Sequence, residues 1–152
     1  MSPSLAALRH KLRTEMPITE HLGVRVVGHD DGCLVLSAPL SANVNHKGTA
    51  FAGSLNAAAT LACWGVVWLA VRDAGRRAHV VIQDSSIRYL RPVAGDFEAV
   101  ACAPAAAQLK ALLAALDRRG RGRVSLTAQV RDDRGIAVEF HGRYVVLEGS
   151  EK

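Results

Sequence analysis

Between Asn43 and Ser54 the chain reads Asn-Val-Asn-His-Lys-Gly-Thr-Ala-Phe-Ala-Gly-Ser and runs into a long uncharged stretch, Leu55 to Val71. A loop rich in Gly, Asn and Ser that feeds an apolar run is a helix entry. It delivers the backbone N–H groups of Ala52, Gly53 and Ser54 to the start of that helix, where unpaired donors and the helix dipole favour negative charge. A carbonyl oxygen that gains charge during a reaction would find an oxyanion hole there. The alternative for Gly48 and Gly53 is that they only turn the chain and pack it closely against a neighbour. Asn45 offers its amide to a ligand or closes the loop as an Asx turn, and Thr49 offers a ligand contact or a local backbone one. His46, Phe51, Ala52 and Ser54 line the same entry as candidate substrate contacts.

Asp84 lies mid-strand among apolar residues, a costly place for a carboxylate unless it is paired or functional. It is a candidate catalyst or an anchor for the loop, with Arg88, Ser86 or Asn45 as its partner. Arg88, Arg91 and Arg123 are candidates for phosphate contacts, each also readable as a solvated charge. Trp64 and Trp68 are core residues or walls of a ligand pocket. There is no CxxC or HExxH motif and the six histidines are scattered, so no metal site is expected.

These residues need elements to hold them. The first, MSPSLAALRHKLRTEMP, reads as an amphipathic helix over residues 1–16, with charges at Arg9, Lys11 and Arg13 where a signal peptide would need apolar residues. VRVVGH and CLVLSAPL around Asp30-Asp31-Gly32 predict a hairpin. Leu55–Val71 predicts one long helix, apolar nearly all round and ended by Asp73-Ala74-Gly75, hence buried on most sides. Four strands follow, HVVIQDSSIRYLRPV, FEAVACAPA, RGRVSLTAQVRDD and GIAVEFHGRYVVLE, with a surface helix ending at Gly120 between the second and third. The expected class is α+β: an antiparallel sheet wrapped around one long central helix, the hotdog architecture, in a single domain spanning 1–152. One sheet covers only part of such a helix, so a homodimer or dimer of dimers is expected.

The uncharged run Ala57–Val71 is shorter than the roughly 17 to 25 residues that span hydrocarbon, so burial in protein rather than a membrane span is expected. Cys33, Cys63 and Cys102 are odd in number and sit in apolar or small-residue contexts, which reads as reduced thiols and a cytoplasmic protein. The formal net charge of +5 suits the phosphates of a cofactor or an acidic carrier protein, or simply a soluble basic surface. With 5% aromatics and no basic run interleaved with stacking residues, nucleic acid is not the expected partner.

The segment Asn43–Ser54, followed by Trp64 and by Asp84-Ser85-Ser86-Ile87-Arg88-Tyr89-Leu90-Arg91-Pro92-Val93, resembles the YiiD C-terminal-type thioesterase family, hotdog proteins, over about Met16 to Leu147. More distantly the loop resembles the Asn-x-x-Gly-x-x-His-Gly-Gly motif of hotdog acyl-CoA thioesterases, with Asn45 and Gly48 in register. Phe51 stands where those enzymes have histidine, Ala52 replaces the first glycine, and Thr60 replaces the helix carboxylate. The resemblance implies an acyl thioester substrate carried on phosphopantetheine, from coenzyme A or acyl carrier protein, with no separate bound cofactor. Some stand-alone relatives are malonyl-acyl carrier protein decarboxylases, which supply acetyl primers for fatty acid synthesis.

Hydrolysis of a thioester needs an activated water, and only Asp84 or His46 offers the base. Decarboxylation of a malonyl thioester needs none, because the enzyme mainly has to stabilise the enolate on the thioester oxygen. With Asn45, Thr49, Gly53 and Asp84 as the catalytic set, decarboxylation is the leading expectation and acyl thioester hydrolysis the second. A non-catalytic acyl-CoA-binding module is the third, since hotdog domains also serve as ligand sensors.

Overall fold

The computed structural model describes residues 2–149. Its elements are α1 (Pro3–Glu15), α2 (Ile18–His21), β1 (Arg25–Asp30), β2 (Cys33–Ala38), a 3-10 turn (Leu40–Ala42), α3 (Ala52–Asp73), β3 (Ala78–Tyr89), β4 (Phe97–Cys102), α4 (Ala106–Arg119), β5 (Arg121–Asp132) and β6 (Gly135–Glu148). The six strands form one antiparallel sheet in the order β1-β2-β4-β5-β6-β3, with β1 and β3 at its edges. α3 packs against β2, β3, β4, β5 and β6, so the sheet wraps the helix in the hotdog arrangement.

The strand alternation shows how the sheet gains its inner face. Leu34, Leu36 and Ala38 of β2, Phe97, Ala99 and Ala101 of β4, and Val124, Leu126, Ala128 and Val130 of β5 are all buried towards α3, while their neighbours face out. The leucine, valine and phenylalanine side chains among them each contribute roughly 1.5–3 kcal/mol when fully buried. On α3, Gly65 gives β2 its close approach: a Cβ there would lie 2.6 Å from Leu34 Cδ2. α1, capped by Ser2 onto the Leu5 N–H, packs Leu5, Leu8 and Leu12 into the same core.

α3 begins at Ala52, one turn earlier than the Leu55 start expected from hydrophobic periodicity. It ends at Asp73, with Ala74 as the C-cap and Gly75 beyond it at φ +75. At 22 residues and a mean hydropathy of 1.6 it is long and apolar enough to cross a bilayer. Instead, 67% of its most apolar 18-residue window is buried inside the fold.

The cysteines correct the sequence reading. Cys33 and Cys102 are directly opposed on β2 and β4, on the outer face of the sheet, and are joined as a disulfide across a sequence separation of 69. Two residues so distant in the chain give no local signal of pairing; only the strand register brings them together. Cys63 alone is the buried thiol that was expected.

Candidate active site at the start of the central helix

The loop before α3 is organised by Asn45. Its Oδ1 accepts the backbone N–H groups of Lys47 (2.8 Å) and Thr49 (3.1 Å), and its Nδ2 donates to Thr49 Oγ1 at 2.9 Å. The backbone adds Asn45 N–H to Thr49 O and Gly48 N–H to Asn45 O, closing a turn that Gly48 completes at φ +80. His46, at its tip, is exposed. Asn43 fixes the base of the loop: it is buried, and its Nδ2 donates to Leu22 O and Pro39 O, both at 2.8 Å. Phe51 N–H returns to Asn43 O, and Ala50 N–H donates to Val93 O at 2.8 Å.

The loop thus enters α3 with Phe51 in the N-cap position and no side chain capping the helix. Among the described residues nothing accepts the N–H groups of Ala52 or Gly53, and both residues are exposed. Ser54 differs from expectation, since its N–H is used on Phe51 O at 3.0 Å and its side chain is buried. The Phe51 ring folds over Gly53, where a Cβ would stand 2.4 Å from Phe51 Cε1. Tyr89, at the end of β3, donates its hydroxyl to Ala52 O at 3.1 Å. Sequence reasoning passed over Tyr89, because nothing in the order of residues shows that β3 ends beside the helix start.

Asp84 does not join this loop. β3 and β6 pair with a register shift between Ile82 and Asp84, so Gln83 is a bulge residue. The bulge sends Asp84, Ser86 and Arg88 to the outer face opposite Arg143, His141 and Glu139, away from α3. There the Asp84 carboxylate pairs with Arg143 rather than with Arg88, Ser86 or Asn45, at Nε–Oδ2 3.0 Å, and is half-exposed. Arg88 lies 3.9 Å from Glu139, and Arg123 spans β6 to reach the Gln83 side chain at 3.1 Å. A groove of about 670 Å³ on this outer face includes Ser86, Arg88, Cys102 and His141 among its walls. It is separated by the sheet from the unengaged N–H groups of the helix start.

Arg91 is committed to structure. It meets the Asp132 carboxylate with two hydrogen bonds, at 2.9 and 2.6 Å, and donates to Gly135 O at 2.7 Å. This pins the chain one step before Pro92-Val93, whose Val93 carbonyl holds Ala50, so Arg91 braces the loop from beneath. Arg91 holds the Asp132 carboxyl at about 2, well below the usual carboxylate value of 3.8. A depressed folded-state pKa contributes stability above the unfolded value that is lost as pH falls from about 4 towards 2. We expect the melting temperature of the wild type to fall more steeply over that interval than that of Asp132→Asn. After solvent screening the difference is about 1–2 kcal/mol; parallel acid profiles for the two proteins would remove this role.

Trp64 is buried and donates its indole N–H to Val80 O at 2.8 Å, which ties α3 to the first half of β3. Trp68 stacks on it at 6.2 Å between centroids. Further polar groups sit on α3 itself. The Thr60 hydroxyl donates to Asn56 Oδ1 at 3.4 Å, and the Thr60 carbonyl accepts from Tyr144 Oη at 2.7 Å. Burial pushes the Cys63 thiol up to about 12 and the Tyr144 hydroxyl upwards, so both stay protonated at neutral pH.

Residues 5–148 match the family described as "Putative thioesterase (yiiD_Cterm)". The chain belongs to this family. A solved protein of unknown function from Chlorobaculum tepidum is 31% identical, with 95% of this chain and 94% of that one covered and a TM-score of 0.91. A "putative thioesterase from Shewanella oneidensis" is 32% identical over 97% and 99%, with a TM-score of 0.86. A Haemophilus influenzae thioesterase at 17% identity, covering 99% and 95% with a TM-score of 0.77, shares the fold.

Proposed function

We propose that this protein decarboxylates malonyl thioesters, carried by acyl carrier protein or coenzyme A, to acetyl thioesters. The observation that carries the reading is the pairing of two unengaged N–H groups, at Ala52 and Gly53, with the absence of a carboxylate among the described residues of the loop and of α3 before Asp73. In the reaction the bond between the methylene carbon and the carboxylate breaks, and carbon dioxide leaves. The electron pair becomes an enolate whose charge rests on the thioester oxygen, where the two N–H groups and the helix dipole stabilise it. A proton from solvent then makes the acetyl methyl group, and the thioester bond is never opened. Asn45 and Thr49 shape the loop over this oxygen.

A second copy of the chain completes the site in this reading. β3 is an edge strand whose inner-face residues Ile82 and Tyr89 are exposed, and a two-fold pairing through β3 would cover them in a homodimer or a dimer of dimers. The net charge of +5 suits an acidic carrier protein or the phosphates of coenzyme A, and the cytoplasm is the compartment that holds both. Thioester hydrolysis is the second reading, favoured by the family's description and by an exposed histidine, His46, on the loop.

The deciding experiment is to incubate the purified protein with malonyl-acyl carrier protein and a panel of acyl-CoAs, following intact mass and free thiol together. Loss of one carbon dioxide from the malonyl species without thiol release is expected. Thiol release with the malonyl group intact would establish hydrolysis instead, and tight binding without any product would establish a binding module.

A further inference from the structure

Two hydrogen bonds lash α3 to the edge strand. Tyr89 Oη reaches Ala52 O at the helix start, and Trp64 Nε1 reaches Val80 O three turns further on. Between these ties the helix row that contains Gly53 and Trp64 also contains Asn56 and Thr60, at the 3–4 residue spacing of one face. Both are polar residues, partly exposed, on a helix whose middle turns are mostly buried among apolar groups. The strand beside them is not sealed either, since Ile82 is 38% exposed and Ser85 is open.

Asn is a poor helix former, and an i,i+4 side-chain pair recovers only a few tenths of a kcal/mol. The Thr60 hydroxyl occupies Asn56 Oδ1, which orients the amide, and among the described residues no acceptor meets Asn56 Nδ2. Along the helix axis Asn56 lies about 4.5 Å from Gly53. That is comparable with the reach from a malonyl thioester oxygen to its carboxylate. The geometry points to Asn56 as the specificity residue that reads the free carboxylate of the acyl group, donating its amide N–H to it. The inference rests on the malonyl reading above and deepens it. A neutral donor fits this role, because it selects a carboxylated acyl group and can hold the carboxylate out of the thioester plane, so that the breaking bond overlaps the carbonyl. A cation at this point would over-stabilise the charge that must leave.

Asn56→Asp is the informative variant, because it keeps an acceptor for the Thr60 hydroxyl while replacing the donor with a like charge. KM for the malonyl thioester is expected to rise on the order of 100-fold. Inhibition by the acetyl thioester product, which has no carboxylate, should change less than about threefold. Equal shifts for both ligands, or none, would overturn the assignment. Should Asn56→Asp fail to melt cooperatively, Asn56→Ser gives the same comparison without the added charge. If the wild type makes no acetyl product, the binding of malonyl-CoA and acetyl-CoA is titrated directly. A malonyl preference erased by the substitution then keeps carboxylate recognition while decarboxylation falls, and no preference removes both.

Discussion

Asn45→Ala is expected to lower malonyl turnover by about 10²–10³-fold, the loss typical when one donor of an oxyanion site is removed or displaced. In the structure the Asn45 carboxamide already has local work: two backbone N–H groups on Oδ1 and Thr49 Oγ1 on Nδ2. Loss of activity in the alanine variant alone would therefore not separate a ligand contact from a loop that has fallen open. Asn45→Asp separates them, because a carboxylate still accepts from Lys47 and Thr49 but cannot donate. If the donor matters, Asn45→Asp should be as inactive as Asn45→Ala while melting like the wild type. An active aspartate variant would reduce Asn45 to the anchor of the turn and leave the oxyanion to Ala52 and Gly53 alone.

Opening the Cys33–Cys102 link should cost about 4 kcal/mol of unfolding free energy, because it releases a loop of 69 residues in the unfolded chain. For a chain of this size that corresponds to roughly 10 °C in melting temperature. Reductant should lower the melting temperature of the wild type to that of Cys102→Ser and leave the variant unmoved. Thiol titration of the unfolded protein should find Cys63 alone before reduction and all three cysteines after it. A wild type whose stability ignores reductant would remove the link from the stability of this fold. The bond joins outer-face residues of β2 and β4, so its opening should leave the helix start, and hence kcat, largely untouched.

The fold was legible because its signals are local. The Asp31-Gly32 hairpin turn, the uncharged helix and the alternation of β5 each lie within a window of one element, and together they admit few packings. The loop at Asn45 was legible for the same reason, since an Asx turn is made of neighbours. What escaped depends on register or on distance. The pairing of Cys33 with Cys102 and of Arg91 with Asp132 joins residues far apart in the chain. Asp84 looked like a buried carboxylate because its neighbours are apolar, but one extra residue turned it outward. Asn56 was missed because a single polar residue hardly changes the hydrophobic periodicity of its helix, and its significance appears only once β3 is seen to be open beside it.

That one extra residue, Gln83, also sets a rule for cutting and joining relatives of this protein. Upstream of it, Val80 faces the helix; downstream, Ser85, Ile87 and Tyr89 do, so even and odd positions exchange sides within one strand. Deleting it would restore plain alternation, with Ile82 still opposite Tyr144 and Asp84 still opposite Arg143. Pairing Gln83 as an ordinary strand residue would instead rotate Asp84, Ser86 and Arg88 into the apolar side of the sheet and carry Tyr89 away from Ala52. A chimera spliced inside this strand by residue count therefore keeps its faces only if both parents carry the bulge, and otherwise the junction has to be counted by strand partner. The safe junctions lie in the turn at Ala74-Gly75 or beyond Val93.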